Sequence, residues 1–296
     1  MDHVLKSKID FLIKIAKKKK ITVGMVIPAL NESRTIGKII KTFIKLKELG
    51  LLFNIYVVDD GSIDNTIKES EKFGAVVFNR NKNGNKNFRK FKGKGFAIWE
   101  SLNFSDEKIL VFYDGDVKNP KLEQLVDLVS PLIIKNNLVL AKADFERNLY
   151  IQGKFIKGHG GRLTEILLKP LIGYLFPDLV YFKQPTGGFY AVRSDCLRNI
   201  DILGEAGADP SVLINLYKKF GLKSLTEVYI DEIIHDNKEL KNLTKASYKH
   251  IQSLFYLKNG VDNFNEYSTL YYNESGVKKK KNIKSDLIIL KHKNDK

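Results

Sequence analysis

Cysteine is almost absent from this chain, with a single residue, Cys196, among 296. A lone thiol excludes an internal disulfide, and it fits a reducing compartment, here expected to be the cytoplasm. No stretch approaches the roughly 18 uninterrupted apolar residues that a membrane span requires. The early segment KIDFLIKIAKKKK is broken by charges and lacks a small-residue cleavage site, so no secretory leader is expected. The spacing GxxxxGK[ST] is missing too, so the GKG at 93–95 is not a P-loop. Acidic residues are in deficit: 34 Asp and Glu face 50 Lys and Arg, leaving a net charge of +16. That excess implies an anionic partner such as a nucleic acid, a membrane surface or a phosphorylated small molecule. Aromatic residues do not interleave with the basic runs as an RNA-recognition sheet demands, which counts against nucleic acid.

The basic residues gather in three places: KKKK at 17–20, KKKK at 278–281, and the segment from Lys82 to Lys94. The terminal runs read as solvated tails. VLKSKIDFLIKIA at 4–16 predicts a short basic amphipathic helix. Packing on the domain is the first expectation for it, with contact to a membrane surface the alternative.

Between the basic ends, apolar β-branched runs alternate with helical periodicity. TVGMVIP (22–28), NIYVVDD (54–60), AVVFN (75–79), Ile109 to Tyr113 and LVLAKADF (138–145) predict strands. The segment Ser33 to Leu49 carries Ile36, Ile39, Ile40, Phe43 and Ile44 at helical spacing, with Ser33 as the expected N-cap. Further helices are expected near Asn65, over FAIWESLNF, and from Pro120 to a kink or end at Pro131. Such alternation predicts an α/β fold with a mostly parallel sheet flanked by helices, whose function collects at the carboxyl ends of the strands. Those ends carry PALNE, DDGS and DGD. The second half is less regular: a glycine-rich loop enters an apolar helix in GHGGRLTEILLKPLIGYLF (158–176), and QPTGGFYAVRSD (184–195) reads as a turn, a short strand and a helix start. A helix over 210–220, a strand over KSLTEVYIDEII and a last helix from Asn242 to Leu257 follow. The tail from about Asn273 reads as unstructured as far as IIL at 288–290. The expected division is a basic arm (1–21), a nucleotide-binding part (22–145), an acceptor-binding part of the same domain (146–260) and a lysine-rich tail (261–296).

Asp114 and Asp116 flank a glycine where a buried strand ends. Aspartate is a hard oxygen ligand suited to Mg²⁺ or Mn²⁺, so one of the pair can reach a metal while the other reaches a sugar hydroxyl. One carboxylate holds a metal weakly. Of the five histidines, His235 in DEIIHDN is best placed to assist; His159 lies in the glycine loop, and His3, His250 and His292 read as surface positions. Lys94, between glycines before a helix, suits a diphosphate. Arg162, at another helix start, suits a phosphate or carboxylate. Each of these has a plainer reading, as an exposed turn, a solvated histidine or a surface arginine.

PALNE, VVDDGSIDNT and DGD, in this order, resemble the nucleotide-sugar glycosyltransferases of the GT-A fold over residues 22–145. GKGFAIWESL, GGRLTEILLKPLIGYLFPDL, QPTGGFYAVR and HDNKELKNLTKAS are similar to glucosyl-3-phosphoglycerate synthases, extending the likeness to roughly 22–255. The resemblance implies a Rossmann-like GT-A sheet with a C-terminal acceptor-binding α/β extension. It implies a metal-dependent, retaining hexosyltransferase that moves glucose from UDP-glucose to 3-phosphoglycerate. Pro28, Ala29, Leu30, Asn31, Glu32, Asp60 and Ser62 would then hold the uridine side of the donor. Lys94 and Asp114 would meet the diphosphate and sugar, with Gly115 and Asp116 beside them. Asp116 and His235 would bind the Mg²⁺ or Mn²⁺, while Gly161, Arg162, Thr164, Thr186 and Asn237 would match the acceptor pocket. Lys94, Asp114 and Asp209 are the catalytic candidates. Asp209 stands where the family carries a glutamate, one methylene longer, and Pro210 follows it; Thr186 replaces a frequent leucine. The resemblance also suggests a homodimer formed through the final helix, although the sequence shows no interface.

Two alternatives come with this reading. One is a family-2-like transferase acting on polyprenyl phosphate or another glycan, seated on a membrane by the basic helix, with Asp209 as its base. The other is a nucleotide-sugar- or RNA-binding protein without catalysis, driven by charge.

Overall fold

The computed structural model describes residues 1–83, 93–151, 154–235, 240–260, 267–272, 278–283 and 289–290. In chain order the elements are α1 (His3–Lys19), β1 (Val23–Ala29), α2 (Ile36–Glu48), β2 (Asn54–Asp59), α3 (Thr66–Lys72), β3 (Val76–Asn79) and the single turn α4 (Arg80–Asn83). Next come α5 (Lys94–Phe104), β4 (Ile109–Phe112), α6 (Leu122–Ile134), β5 (Leu140–Arg147), the small hairpin β6 (Leu149–Ile151) and β7 (Lys154–Ile156), and α7 (Lys169–Leu175). The remainder is β8 (Tyr190–Arg193), α8 (Ser194–Arg198), β9 (Ile202–Leu203), α9 (Ala208–Phe220), β10 (Leu225–Ile233), α10 (Leu240–Asn259), β11 (Tyr267–Tyr272), β12 (Lys278–Ile283) and β13 (Ile289–Leu290).

The central sheet has seven strands in the order β10-β5-β8-β4-β1-β2-β3. Strands β1, β2, β3 and β4 pair in parallel, as do β5 and β10, whereas β8 runs antiparallel to both of its neighbours. The mostly parallel expectation is met, with one reversal that decides the site. Because β8 runs backwards, its first residue, Tyr190, stands opposite Phe112 at the end of β4 and Lys142 in β5. The turn just before β8 is thereby delivered to the carboxyl-end rim.

Both faces of the sheet are covered, which is why its strands read as continuous apolar runs rather than alternating ones. On one face Ile36, Ile39, Ile40 and Phe43 of α2 and Leu125, Val126, Val129 and Leu132 of α6 pack with Met25, Ile27 and Val57. On the other, Phe96 and Trp99 of α5, Ile172 of α7, Val212 and Leu216 of α9, and Leu254 of α10 pack against Val26, Phe112 and Tyr190. Leu5, Ile9, Leu12 and Ala16 give α1 a buried stripe at helical spacing. That stripe joins the first layer, and Lys8 pairs with Asp127 of α6 at 2.6 Å while Lys19 donates to the carbonyls of Ile133 and Ile134. The apolar face expected to pack on the domain does so. No helix among the described residues is long and apolar enough to cross a membrane.

Several local expectations change. Helix α2 begins at Ile36 rather than at a Ser33 cap: Ser33 donates its backbone N–H to Asp64 at 3.1 Å, and Thr35 sends its hydroxyl to the Gly115 carbonyl at 2.6 Å. Pro131 does not end α6 at once, and the helix closes one turn later at Ile134. The apolar helix after the glycine loop opens as a π-helical turn over Thr164–Leu168 before α7. Pro170 has no N–H for an ordinary α-helical bond there, which favours the wider turn. In the tail, Lys278–Ile283, which holds the second KKKK and lies in the segment expected to be unstructured, forms β12 and pairs antiparallel with β11, while the IIL at 288–290 supplies β13, paired with β9.

Candidate active site

The three strand-end motifs meet on one rim, around a cleft of about 530 Å³. Pro28, Ala29, Leu30, Glu32 and Asp60 line one side of it. Their loops are held by their own polar groups. Asn31 takes a left-handed backbone (φ 60), which an asparagine tolerates, and its side chain accepts from the N–H of Ile63 at 2.9 Å. Its own N–H donates to Ser62 Oγ at 2.8 Å. Asn31 and Ser62 therefore brace the loop from behind, outside the cleft lining. Asp59 accepts from the N–H groups of Gly61 and Ser62, and Asp64 from Thr66. Asp60 is half-buried between Arg80, at 3.1 Å, and the N–H of Gly93, at 2.9 Å. It thus ties the DDGS loop to the start of α5, the helix whose first residue is Lys94.

At the floor, Lys94 is clamped between two carboxylates: it donates to Asp114 Oδ1 and lies 3.2 Å from Asp209 Oδ2. Burial opposes the lysine's charge, but Asp114 and Asp209 outweigh it and hold its pKa above the ordinary lysine value. Burial likewise works against Asp114, yet Lys94 keeps its carboxyl below the usual range. Asp209, in the first turn of α9, is pushed up by burial, with Lys94 opposing and Asp114 adding to the rise. The shorter side chain still reaches the lysine, and Pro210 sits in the first turn of α9, where a missing N–H costs little. Gly188, delivered by the reversed β8, presses on this triad: a Cβ there would lie 1.6 Å from Lys94 Nζ and 2.4 Å from Asp114 Oδ1. Only glycine fits.

Asp116 and His235 both line the cleft. Their loops are laced together: Lys118 N–H donates to the Ile234 carbonyl at 2.8 Å, and Asn119 accepts from the Ile234 N–H and donates to the Glu232 carbonyl, each at 2.8 Å. Burial, then the charge of Asp114, raises the pKa of Asp116, while His235 opposes the rise. A cation held there would relieve both penalties. One carboxylate and one imidazole suit Mg²⁺ or Mn²⁺. No group of three or more candidate ligands gathers among the described residues, so substrate oxygens would have to complete the shell of an ion held here. The residues fit a divalent ion.

Opposite, Gly161, Arg162, Thr164 and Thr186 share the cleft wall, with the two threonine hydroxyls 3.3 Å apart. Asn237 lies outside the described residues. Of the other histidines, His159 is exposed as expected for the glycine loop, whereas His250, expected on the surface, lines the cleft from α10. Four contributors escaped the sequence reading: Phe145, Arg147, Gly188 and Lys142. Lys142 is buried in β5, its ammonium donating to the Gly187 carbonyl at 2.6 Å and sitting 5.0 Å from the ring centre of Tyr190. Burial brings its pKa down to about 8. A charged residue inside the predicted strand LVLAKADF was the available signal. Arg147 ends the same strand, its Nε enclosed without a hydrogen-bond partner among the described residues. Leaving such a donor unpaired costs about 1–3 kcal/mol.

Residues 25–139 match the family model for glycosyl transferase family 2. Over 240 residues the chain is 31% identical to a glucosyl-3-phosphoglycerate synthase of Petrotoga mobilis, covering 80% of this chain and 74% of that protein. A second enzyme of that name, from Mycolicibacterium smegmatis, is 32% identical over 233 residues, covering 79% of this chain and 76% of that protein. Among solved structures, the glucosyl-3-phosphoglycerate synthase of Mycobacterium tuberculosis, in complex with Mn²⁺, UDP-glucose and phosphoglyceric acid, superposes with a TM-score of 0.83. It shares 27% sequence identity, over 96% of this chain and 93% of that one.

Proposed function

The chain belongs to the glucosyl-3-phosphoglycerate synthase family, and from that premise we propose that it is a metal-dependent retaining glycosyltransferase moving glucose from UDP-glucose to the free hydroxyl of 3-phosphoglycerate. The observation that carries this reading is the joining, in one cleft, of the Lys94–Asp114–Asp209 cluster and the Asp116/His235 pair with the arginine and threonines of the glycine-loop wall.

On this reading residues 22–145 form the donor side, and residues 146–260 the acceptor side. Pro28, Ala29, Leu30 and Glu32 receive the uridine, and Asn31, Ser62 and Asp60 stiffen the loops that do so. Asp114, kept ionised by Lys94, accepts hydrogen bonds from the sugar hydroxyls. Asp209, with a second oxygen left unpaired among the described residues, is placed to do the same. Lys94 sits where it can meet the diphosphate and the sugar at once. Asp116 and His235 would hold Mg²⁺ or Mn²⁺, which supplies positive charge against the diphosphate. The acceptor's anionic end matches Arg162 and the N–H groups opening the π-helical turn at Thr164. The hydroxyl attacks the anomeric carbon on the face from which UDP departs, and its proton passes to a leaving phosphate oxygen. Retention then needs no covalent sugar–enzyme bond.

The test is UDP release by purified protein with Mg²⁺, UDP-glucose and 3-phosphoglycerate, with the anomeric configuration of the product read by NMR. Release that requires both substrates and gives an α-linked product is expected. Equal release without the phosphoglycerate, or release only with a lipid phosphate, overturns the assignment.

A further inference from the structure

Arg147 lines the acceptor side of the cleft from the end of β5, and no site described so far uses it. Its guanidinium stacks on Phe145, 5.0 Å from the ring centre, and its Nε has no hydrogen-bond partner among the described residues. The neighbouring Glu146 does not compensate it, being engaged by Lys157 at 3.4 Å. Burial lowers the pKa of Arg147, and Asp114, Glu165, Asp209 and Asp116 are the charges that partly restore it. The glycine loop is shaped around this side chain. A Cβ on Gly161 would meet Arg147 Cδ at 2.9 Å, and one on Gly160 would meet Arg147 Cβ at 2.9 Å. The Gly160 N–H also donates to the Arg147 carbonyl at 3.0 Å. A guanidinium on the cleft wall, stacked and held in place with its Nε enclosed, presents its remaining nitrogens as a fork for a planar anion.

We infer that Arg147 is an acceptor-binding residue that pairs with the carboxylate of a small phosphorylated acid, leaving the phosphate to Arg162 and the N–H groups of the π-helical turn. The role assigned to Arg147 rests on 3-phosphoglycerate being the acceptor. The division between the two arginines follows from distance along the acceptor. Its carboxylate is bonded directly to the carbon bearing the reacting hydroxyl, whereas its phosphate stands one carbon further away. The carboxylate therefore lies closer to the sugar. Arg147 is one of the charges that act on Asp114, at the proposed sugar end. A carboxylate is also flat, and matches the two parallel N–H bonds that the terminal nitrogens of a guanidinium can offer.

Binding of 3-phosphoglycerate and of glycerol 3-phosphate, measured by calorimetry on the full chain with UDP and Mg²⁺ present, tests this. Glycerol 3-phosphate keeps the phosphate and lacks the carboxylate. Arg147→Met should weaken 3-phosphoglycerate about 10- to 100-fold, leave glycerol 3-phosphate within about threefold, and leave UDP affinity intact. Arg147→Lys, which keeps the charge but loses the fork, should fall between. Equal loss for both acceptors would assign Arg147 to the phosphate or to structure, and loss of UDP affinity would assign it to the donor; either overturns the inference. Unchanged affinity for 3-phosphoglycerate in Arg147→Met overturns it as well. A wild-type protein that binds no 3-phosphoglycerate sinks the acceptor assignment itself, a separate outcome from any result on the variants.

Discussion

The two walls of the cleft are built on opposite plans. On the wall proposed for the donor, the loops are tied by protein partners: Asp59 with Gly61 and Ser62, Asn31 with Ile63, Asp64 with Thr66, and Asp60 with the Gly93 N–H and, as an ion pair rather than a hydrogen bond, with Arg80. On the wall proposed for the acceptor, and on the floor beside it, Arg147 Nε and Asp209 Oδ1 are buried without hydrogen-bond partners among the described residues. A loop satisfied by its own backbone is rigid before any ligand arrives, so it can offer a nucleotide a preformed shelf. Enclosed but unpaired donors and acceptors carry a cost that a polar ligand removes. The first wall is finished; the second is completed by what it binds.

The comparison breaks most visibly at the pair joining the two walls. Asp116→Ala and His235→Ala should each reduce turnover on the order of 10²–10³-fold, and UDP measured without metal should still bind. Turnover retained in both variants would remove the metal from the scheme. Gly188→Ala comes next. Its methyl group would displace the end of the Lys94 side chain, which is flexible, so unfolding should shift little while kcat falls about 10²-fold. A large drop in melting temperature would instead make Gly188 a folding residue.

Lys142 sharpens the contrast through stability. Burial lowers its pKa from the ordinary lysine value to about 8, which corresponds to on the order of 3 kcal/mol, offset in part by its bond to Gly187. Between pH 8 and the ordinary lysine value the unfolded chain binds more protons than the folded one, so unfolding free energy should rise with pH through that window. Lys142→Met should lack this rise and match or exceed the wild type near neutrality, read by denaturant titration at several pH values. A parallel pH dependence in both proteins would mean that the lysine is not buried as a cation. The smallest effect is expected at Thr186, whose hydroxyl meets Thr164 at 3.3 Å. Thr186→Leu should change the KM for the acceptor by roughly two- to tenfold, as one neutral hydrogen bond would, and leave the KM for the donor alone.

Much of the finished wall was legible in the chain. A strand buried on both faces must read as an unbroken apolar run, and its polar loop then stands out, as PALNE, DDGS and DGD do. Helices α2 and α6 were visible through their periodicity, although Ser33 misled as a cap because a carboxylate 31 residues away, Asp64, competes for its N–H. The unfinished wall was far less legible. Lys142 and Arg147 sit in a strand whose pattern says only that it is buried; the charge of Lys142 within that run was a signal without a partner to interpret it, and nothing local marks Arg147 as facing a cleft. Gly188 looked like an ordinary turn glycine, and His250 like a surface residue.

Composition and pattern by themselves determined the α/β class, the rim on which the chemistry gathers and the residue types available there, because burial and backbone hydrogen bonding impose short-range periods on any sequence. Tertiary structure alone decided that β8 enters the sheet backwards between β4 and β5, bringing Gly188 against Lys94 and Asp114. It alone decided that α9 carries Asp209 to the same lysine, and that the glycine loop folds around Arg147. Those contacts join residues tens of positions apart, and their energies depend on which groups become neighbours once solvent is excluded. No local pattern encodes that.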